Sequence, residues 1–332
     1  MPSRDKEKTP VRGEIAVVGL GRWGGGPVLK TLSQHFPETR LHGFARSNYG
    51  LWQDRTDLPA NVRIHRAADF QGRVLDREDV NIVIVTSSLS SHFDLAKAAL
   101  GAGKDVLVEK PIAKTKEEAA VLVSLAHRQK RILAVGYELM YDPRLALLKT
   151  LVSKGPFEKI QAVTLKLLNP LRGRRLDPGT NGVEDLVPHL LSILHVLAGK
   201  RAVSHLAVEA SRTHTQATIR FHYEGIEVAL HIDCDYKEGQ KTRTVQVIGS
   251  EAVIDVDFIK QGILIKDKAG HILDRHDARY PPVLAHRHRD RSTLLACEFS
   301  DFFKSVLTRR PPRNSADLTD WIPEAMDRMH RA

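Results

Sequence analysis

Residues Gly19-Leu20-Gly21-Arg22-Trp23-Gly24 spell G-x-G-x-x-G. They directly follow the strand-like run Glu14 to Gly19 and open a helical pattern that extends to about Gln34. Glycines at these places permit a tight turn and let bare backbone approach a pyrophosphate, while the helix behind them offers oriented N–H groups to an anion. The setting gives the motif its force. Leu41 to Ala45 reads as a second strand, and Asn81 to Thr86 is a nearly unbroken apolar run of the kind buried on both faces. Asp105 to Val108 and Ile132 to Gly136 are further strands. Between them His92, Leu95, Ala96, Ala99 and Leu100 fall on one helical face that Gly101 and Gly103 close. Thr115 with Glu118 predicts a capping box before a helix from Lys116 to about Arg128. Strands alternating with helices imply an α/β domain with a doubly wound parallel sheet that binds a dinucleotide.

The second half has another rhythm. Ala217, Ile219, Phe221 and Tyr223 alternate with polar residues, Glu224-Gly225 turns the chain, and Ile226, Val228, Leu230 and Ile232 alternate on the return. Val245 and Val247, then Val253 to Val256, continue the pattern before a helix near Ser292 to Thr308. This predicts a second α/β domain on an open, mainly antiparallel sheet with one apolar face. Asp142-Pro143 marks the change. The reading divides the 332 residues into a disordered polar tail at 1–12, a Rossmann domain at 13–138 and a substrate or oligomerisation domain at 139–332.

Composition narrows the function. Hydrophobic residues make up 42% and charged residues 27%, enough for sizeable cores. No run reaches the ~18 apolar residues of a membrane span, and the start lacks a signal-like apolar stretch. Two cysteines, Cys234 and Cys297, fit a reducing cytoplasm and exclude a disulfide framework or Cys-rich metal site. The net charge of +10 is spread along the chain and aromatics are only 6%, which argues against a nucleic-acid platform.

The end of the second strand bears on the cofactor. An NAD site places an acidic residue there to hold the ribose 2′-hydroxyl. Here Leu41 to Ala45 runs into Arg46-Ser47-Asn48, with no carboxylate. Arg46 is suited to pair with a 2′-phosphate and Ser47 to donate to it, so the reading favours NADP, with NAD second.

The string Gly103-Lys104-Asp105-Val106-Leu107-Val108-Glu109-Lys110-Pro111, preceded by Thr86-Ser87-Ser88 and His92, resembles the glucose–fructose oxidoreductase / inositol dehydrogenase (Gfo/Idh/MocA) family. Val135-Gly136-Tyr137, with Tyr141 and Pro143, is similar to that family's entry into its second domain. The resemblance implies hydride transfer with NAD or NADP on a sugar, cyclitol or nucleotide sugar, and a homodimer or homotetramer formed through the open sheet. It implies cofactor contacts from Gly19, Gly21, Arg22, Trp23, Gly24, Thr86, Ser87, His92, Glu109 and Lys110. It also assigns catalysis to Lys110, Asp185 and His189. Lys110 would polarise the reacting oxygen, His189 would move the hydroxyl proton, and Asp185 would orient substrate hydroxyls, with no metal required.

Asp185 and His189 stand four apart, on one face of a helix whose first turn would contain Pro188. Ser192 replaces an acidic residue of many relatives, and Glu138-Leu139-Met140 replaces more usual polar and basic residues. Arg172-Gly173-Arg174-Arg175 is a candidate grip for an anionic substrate, whereas His286 to Arg289 reads as a connector and His195 as a helix-face histidine. A non-catalytic, dinucleotide-sensing regulator of the same fold is the alternative function.

Overall fold

The computed structural model describes residues 13–153, 157, 159–169, 181–211, 215–234, 241–260, 262–277 and 291–331. The expected tail at 1–12, the Arg172 to Arg175 run and the His286 to Arg289 connector lie outside the described residues. The chain forms two compact units. One is the chain up to Glu138 with His288–Leu318, and the other is Leu139–Arg287 with Thr319–Ala332.

The first unit is built on six parallel strands, β1 (Glu14–Val18), β2 (Leu41–Ala45), β3 (Val62–Arg66), β4 (Val80–Val85), β5 (Asp105–Glu109) and β6 (Leu133–Gly136). They lie in the order β3-β2-β1-β4-β5-β6. The order reverses between β1 and β4, and at such a switch point ligands bind beyond the carboxyl ends of the strands. The central strands are apolar because both faces are covered: Ile15, Val17, Ile82, Ile84 and Leu107 are at most 1% exposed. Helices α1 (Leu29–His35), α2 (Tyr49–Gln53), α3 (Leu89–Gly101) and α4 (Lys116–Gln129) connect them.

Two local details depart from expectation. The glycine-rich turn enters a wide π-turn, Gly24–Val28, before α1. Pro27 has no amide to offer the Trp23 carbonyl, and the Val28 N–H donates there instead at 3.2 Å. Ahead of α4, the Glu118 amide donates to the Thr115 hydroxyl at 3.2 Å, but the Glu118 carboxylate accepts from the Lys114 amide rather than completing the box at Thr115.

The sheet's outer strands differ in kind. β3, Val-Arg-Ile-His-Arg, is short and charged, as suits an edge. The β6 edge is covered by a returning segment: the Val135 amide donates to the Asn314 carbonyl and the Ala316 amide to the Leu133 carbonyl. Before that segment runs α7 (Arg291–Thr308), which its place in the sequence assigns to the second domain. Its Leu295, Phe299, Phe302 and Phe303 instead join Val28, Leu29 and Leu32 in the first unit's core. Each buried phenylalanine contributes on the order of 2 kcal/mol, which explains the return.

The second unit holds an eight-stranded sheet ordered β14-β13-β12-β11-β7-β10-β9-β8. Its strands are β7 (Ala162–Leu168), β8 (Val203–Ala210), β9 (Gln216–Tyr223), β10 (Ile226–Asp233), β11 (Thr242–Ile248), β12 (Ala252–Asp257), β13 (Gly262–Asp267) and β14 (Ile272–Asp277). All neighbours are antiparallel except β7 and β10. Ile219, Phe221, Tyr223, Val228 and Leu230 line the covered face. Helix α6 (Gly182–Ala198) packs on β7, β9 and β10, flanked by α5 (Pro143–Ser153) and α8 (Trp321–Arg331).

Candidate active site

The glycine-rich turn follows β1, and its glycines answer different demands. Gly19 has φ +107°, where other residues are strained. At Gly24 a Cβ would lie 2.1 Å from the Thr86 hydroxyl and 2.3 Å from the Gly19 carbonyl. Thr86, at the end of β4, donates from that hydroxyl to the Gly19 carbonyl at 3.0 Å, so Gly24 lets two strand ends close on each other. At Gly21, by contrast, a Cβ would meet nothing within 4 Å. The protein's own packing does not demand glycine there, whereas a pyrophosphate laid against the backbone does. Gly24→Ala is expected to destabilise the domain by about 1–3 kcal/mol through overpacking. Gly21→Ala is expected to melt as the parent does while losing cofactor affinity, which thermal unfolding and a fluorescence titration distinguish.

Arg46 and Ser47 follow β2 and are both exposed. No carboxylate stands beside them in sequence: Asn48 donates to the Leu20 carbonyl at 2.7 Å, and Trp52 donates to the same oxygen at 3.0 Å. These two bonds hold the second strand end against the glycine-rich turn.

Lys110 is half-buried at the carboxyl end of β5, and Glu109 before it is buried. The Trp23 indole N–H donates to Glu109 Oε1 at 2.5 Å, and the Lys110 amide donates to Oε2 at 3.3 Å. Burial, with the nearby Glu138 charge, pushes the Glu109 carboxyl up to about 7, against the pull of the Trp23 bond and the Lys110 charge. A second acid, Glu298 on α7, is raised well above its ordinary range by burial, with the charges of Glu109 and Glu138 adding to it. Sequence reasoning missed Glu298. Its signal is a lone carboxylate among Leu294, Leu295, Phe299 and Phe302 on an amphipathic helix.

His92, expected as a cofactor contact, engages the protein's own backbone with both ring nitrogens. It is buried at the start of α3, one ring nitrogen 2.8 Å from the Pro111 carbonyl and the other 3.0 Å from the Ser87 carbonyl. It therefore braces the β4 and β5 strand ends against each other. Ser87 itself is half-buried and accepts from the Ser91 hydroxyl at 2.7 Å.

In the second unit Asn181 caps α6 by a full capping box. Its side chain accepts from the Glu184 amide and the Glu184 carboxylate accepts from the Asn181 amide, both at 2.9 Å. The helix thus begins earlier than expected, and Pro188 lies inside it, beyond the first turn. The cap and the apolar face of α6 hold the helix despite the amide that Pro188 lacks. Asp185, half-buried, and His189, buried, stand one turn apart. Ser192 turns its hydroxyl onto the His189 carbonyl at 2.8 Å, so it serves the helix rather than replacing an acid. His195 accepts the Trp321 indole N–H at 3.0 Å and is structural, as its sequence position implies.

Comparison with known proteins agrees with this architecture. Residues 14–137 match the family model described as oxidoreductase family, NAD-binding Rossmann fold. A 1-carboxy-3-chloro-3,4-dihydroxycyclohexa-1,5-diene dehydrogenase of Comamonas testosteroni is 29% identical over 57% of this chain, a match that spans about half (48%) of that protein. The UDP-N-acetylglucosamine 3-dehydrogenase of Acidithiobacillus ferrooxidans is 23% identical over 79% of this chain and 82% of its own length. Among solved structures, an inositol dehydrogenase homolog from Azotobacter vinelandii, complexed with NADH and myo-inositol, superposes with a TM-score of 0.79. It covers 98% of this chain and 97% of that one at 16% identity, and so speaks for the fold. The glycine-rich turn and the Glu-Lys-Pro strand end both fall within residues 14–137, the part of the chain that is similar to the oxidoreductase family with an NAD-binding Rossmann fold.

Proposed function

We propose that the protein is an NADP-preferring oxidoreductase that moves hydride between nicotinamide and a hydroxyl or ketone carbon of a sugar, cyclitol or nucleotide sugar. The observation that carries this reading is the alignment of functional groups along one sheet edge. The glycine-rich turn, Thr86-Ser87 and Lys110 follow the adjacent strands β1, β4 and β5. The bound dinucleotide supplies the hydride acceptor or donor, and the chain supplies orientation and proton handling. Lys110 hydrogen-bonds the reacting oxygen, His189 takes or returns its proton, and Asp185 orients neighbouring hydroxyls. Relatives that act on a nucleotide sugar or a cyclic diol support this substrate class.

The preference for NADP rests on exposed Arg46 and Ser47 at the end of β2, where a guanidinium and a hydroxyl suit a 2′-phosphate. Arg46→Ala is expected to weaken NADPH binding roughly tenfold to a hundredfold, the worth of a charged hydrogen bond, and to leave NADH binding unchanged. Parallel fluorescence titrations check this, and tighter NADH than NADPH binding by the parent protein would refute the preference. The half-exposed face of the eight-stranded sheet, with Thr164, Thr244 and Gln246, is the surface through which two or four copies assemble. Cys234 and Cys297 are thiols, and the proposal places the protein in the cytoplasm. Among the described residues no helix is long and apolar enough to cross a membrane.

A further inference from the structure

The proposed mechanism gives no step to the buried acids of the first unit. Glu109 at the end of β5, Glu138 just past β6 and Glu298 on α7 are 8%, 2% and 1% exposed. Glu298 is held inward by Asn314, whose side-chain amide donates to it at 2.9 Å and to the Val135 carbonyl at 2.7 Å. Glu109 instead reaches outward, to Trp23 in the glycine-rich turn. Its seat is built for it on each side. Across the sheet, β6 presents Gly136, where a Cβ would lie 2.9 Å from the Glu109 carboxyl carbon. The groups that face it are the Trp23 indole from the turn, Lys110 on its own strand, Glu138 beyond β6, and Glu298 from α7.

We propose that Glu109 is a positioning residue for the dinucleotide: its ionised carboxylate, through the Trp23 indole, ties the glycine-rich turn to the Lys110 strand end, so cofactor affinity follows the charge on Glu109. This rests on the reading of the turn as the dinucleotide site. The physical basis is that a hydrogen bond to an ionised acceptor is about twice as strong as one to a neutral acceptor. The same carboxylate also receives the Lys110 amide, so one charge steadies both motifs. Burial and the Glu138 charge bring the Glu109 proton into the range near neutrality, where ordinary buffers load and unload it. Cofactor binding then tightens as pH rises through about 7.

The test titrates NADH into the full-length protein by nicotinamide fluorescence between pH 6 and 8.5. NADH is chosen because a phosphate monoester, like the 2′-phosphate of NADPH, itself titrates near pH 6. The parent protein is compared with Trp23→Phe, Glu109→Gln and the double variant, and melting curves at each pH show that each is folded. The parent Kd is expected to fall roughly tenfold across the range, the worth of one strengthened hydrogen bond. Both single variants are expected to bind more weakly at high pH, with no pH dependence, and the double variant to match the singles rather than add them. A parent titration flat in pH, a Trp23→Phe variant that keeps the parent's pH dependence, or additive losses would each overturn the proposal. If Glu109→Gln does not fold, Trp23→Phe at its half-buried position decides alone. Failure of the parent to bind either NADH or NADPH at any pH would overturn the dinucleotide reading with it, whereas pH-independent binding overturns this proposal alone.

Discussion

Lys110→Ala is expected to cut turnover about 10³-fold or more while leaving the dissociation constant of NADPH within about twofold, because in the proposed mechanism it removes a donor aimed at charge that develops only during reaction. Lys110 is half-buried at the carboxyl end of β5, where a parallel sheet delivers its ligand-facing residues. Its ammonium is partly shielded from water, so its interaction with a developing alkoxide is stronger than it would be in bulk solvent. In the proposed function the glycine-rich turn and the Arg46-Ser47 strand end, not this side chain, hold the cofactor's phosphates. Lys110→Arg tests the same point from another side. It keeps the charge but spreads it over a planar fork on a different stem, and is expected to restore only part of the rate. Steady-state kinetics with a sugar and cyclitol panel, beside cofactor titration, separates the two effects. Normal turnover in Lys110→Ala would remove the lysine from the mechanism.

Legibility in the sequence followed the strength of local pattern. β2 is read to the residue because four apolar or small residues and His42 are bounded by Arg40 and Arg46. β4 and β5 shift by only a residue, since buried parallel strands are continuous apolar runs. β3 escapes notice because an edge strand needs only one buried position, here Val62. α8 escapes notice too, since its apolar residues Trp321, Ile322, Ala325, Met326 and Met329 are diluted by charge. The assignment of α7 fails for a different reason: no periodicity tells a helix which of two cores it joins, and only the fit of Phe299, Phe302 and Phe303 against α1 decides it. In the candidate site the glycines, Lys110, Asp185 and His189 are the positions that sequence spacing singles out, and their roles stand as proposals. The Trp23–Glu109 bond spans 86 residues and joins two separate motifs, so no local pattern contains it.

That bond leads to the second large effect, on stability. Burial holds the Glu109 pKa at about 7, above its ordinary 4.5. The folded protein therefore keeps a proton there that the unfolded chain has already lost between those two pH values. With fewer protons bound in the unfolded state, stability falls as pH rises through that window and then levels off. The raised value corresponds to about 3 kcal/mol between pH 4 and pH 8. Glu109→Gln removes the charge but keeps an oxygen that can accept from Trp23. It is expected to melt close to the parent at low pH and to be more stable by about 2–3 kcal/mol at pH 8, with part of the gain offset by the weaker bond to Trp23. Glu298, which is raised by burial and by the Glu109 charge, leaves some residual slope in the variant. Cofactor-free denaturant unfolding at pH 4.5 and pH 8 measures the difference, and equal stability gains at both pH values would show that Glu109 carries no such charge. A gain confined to high pH, together with weaker NADH binding there, would mean that the fold tolerates a costly buried charge because the charge orders the glycine-rich turn for its ligand.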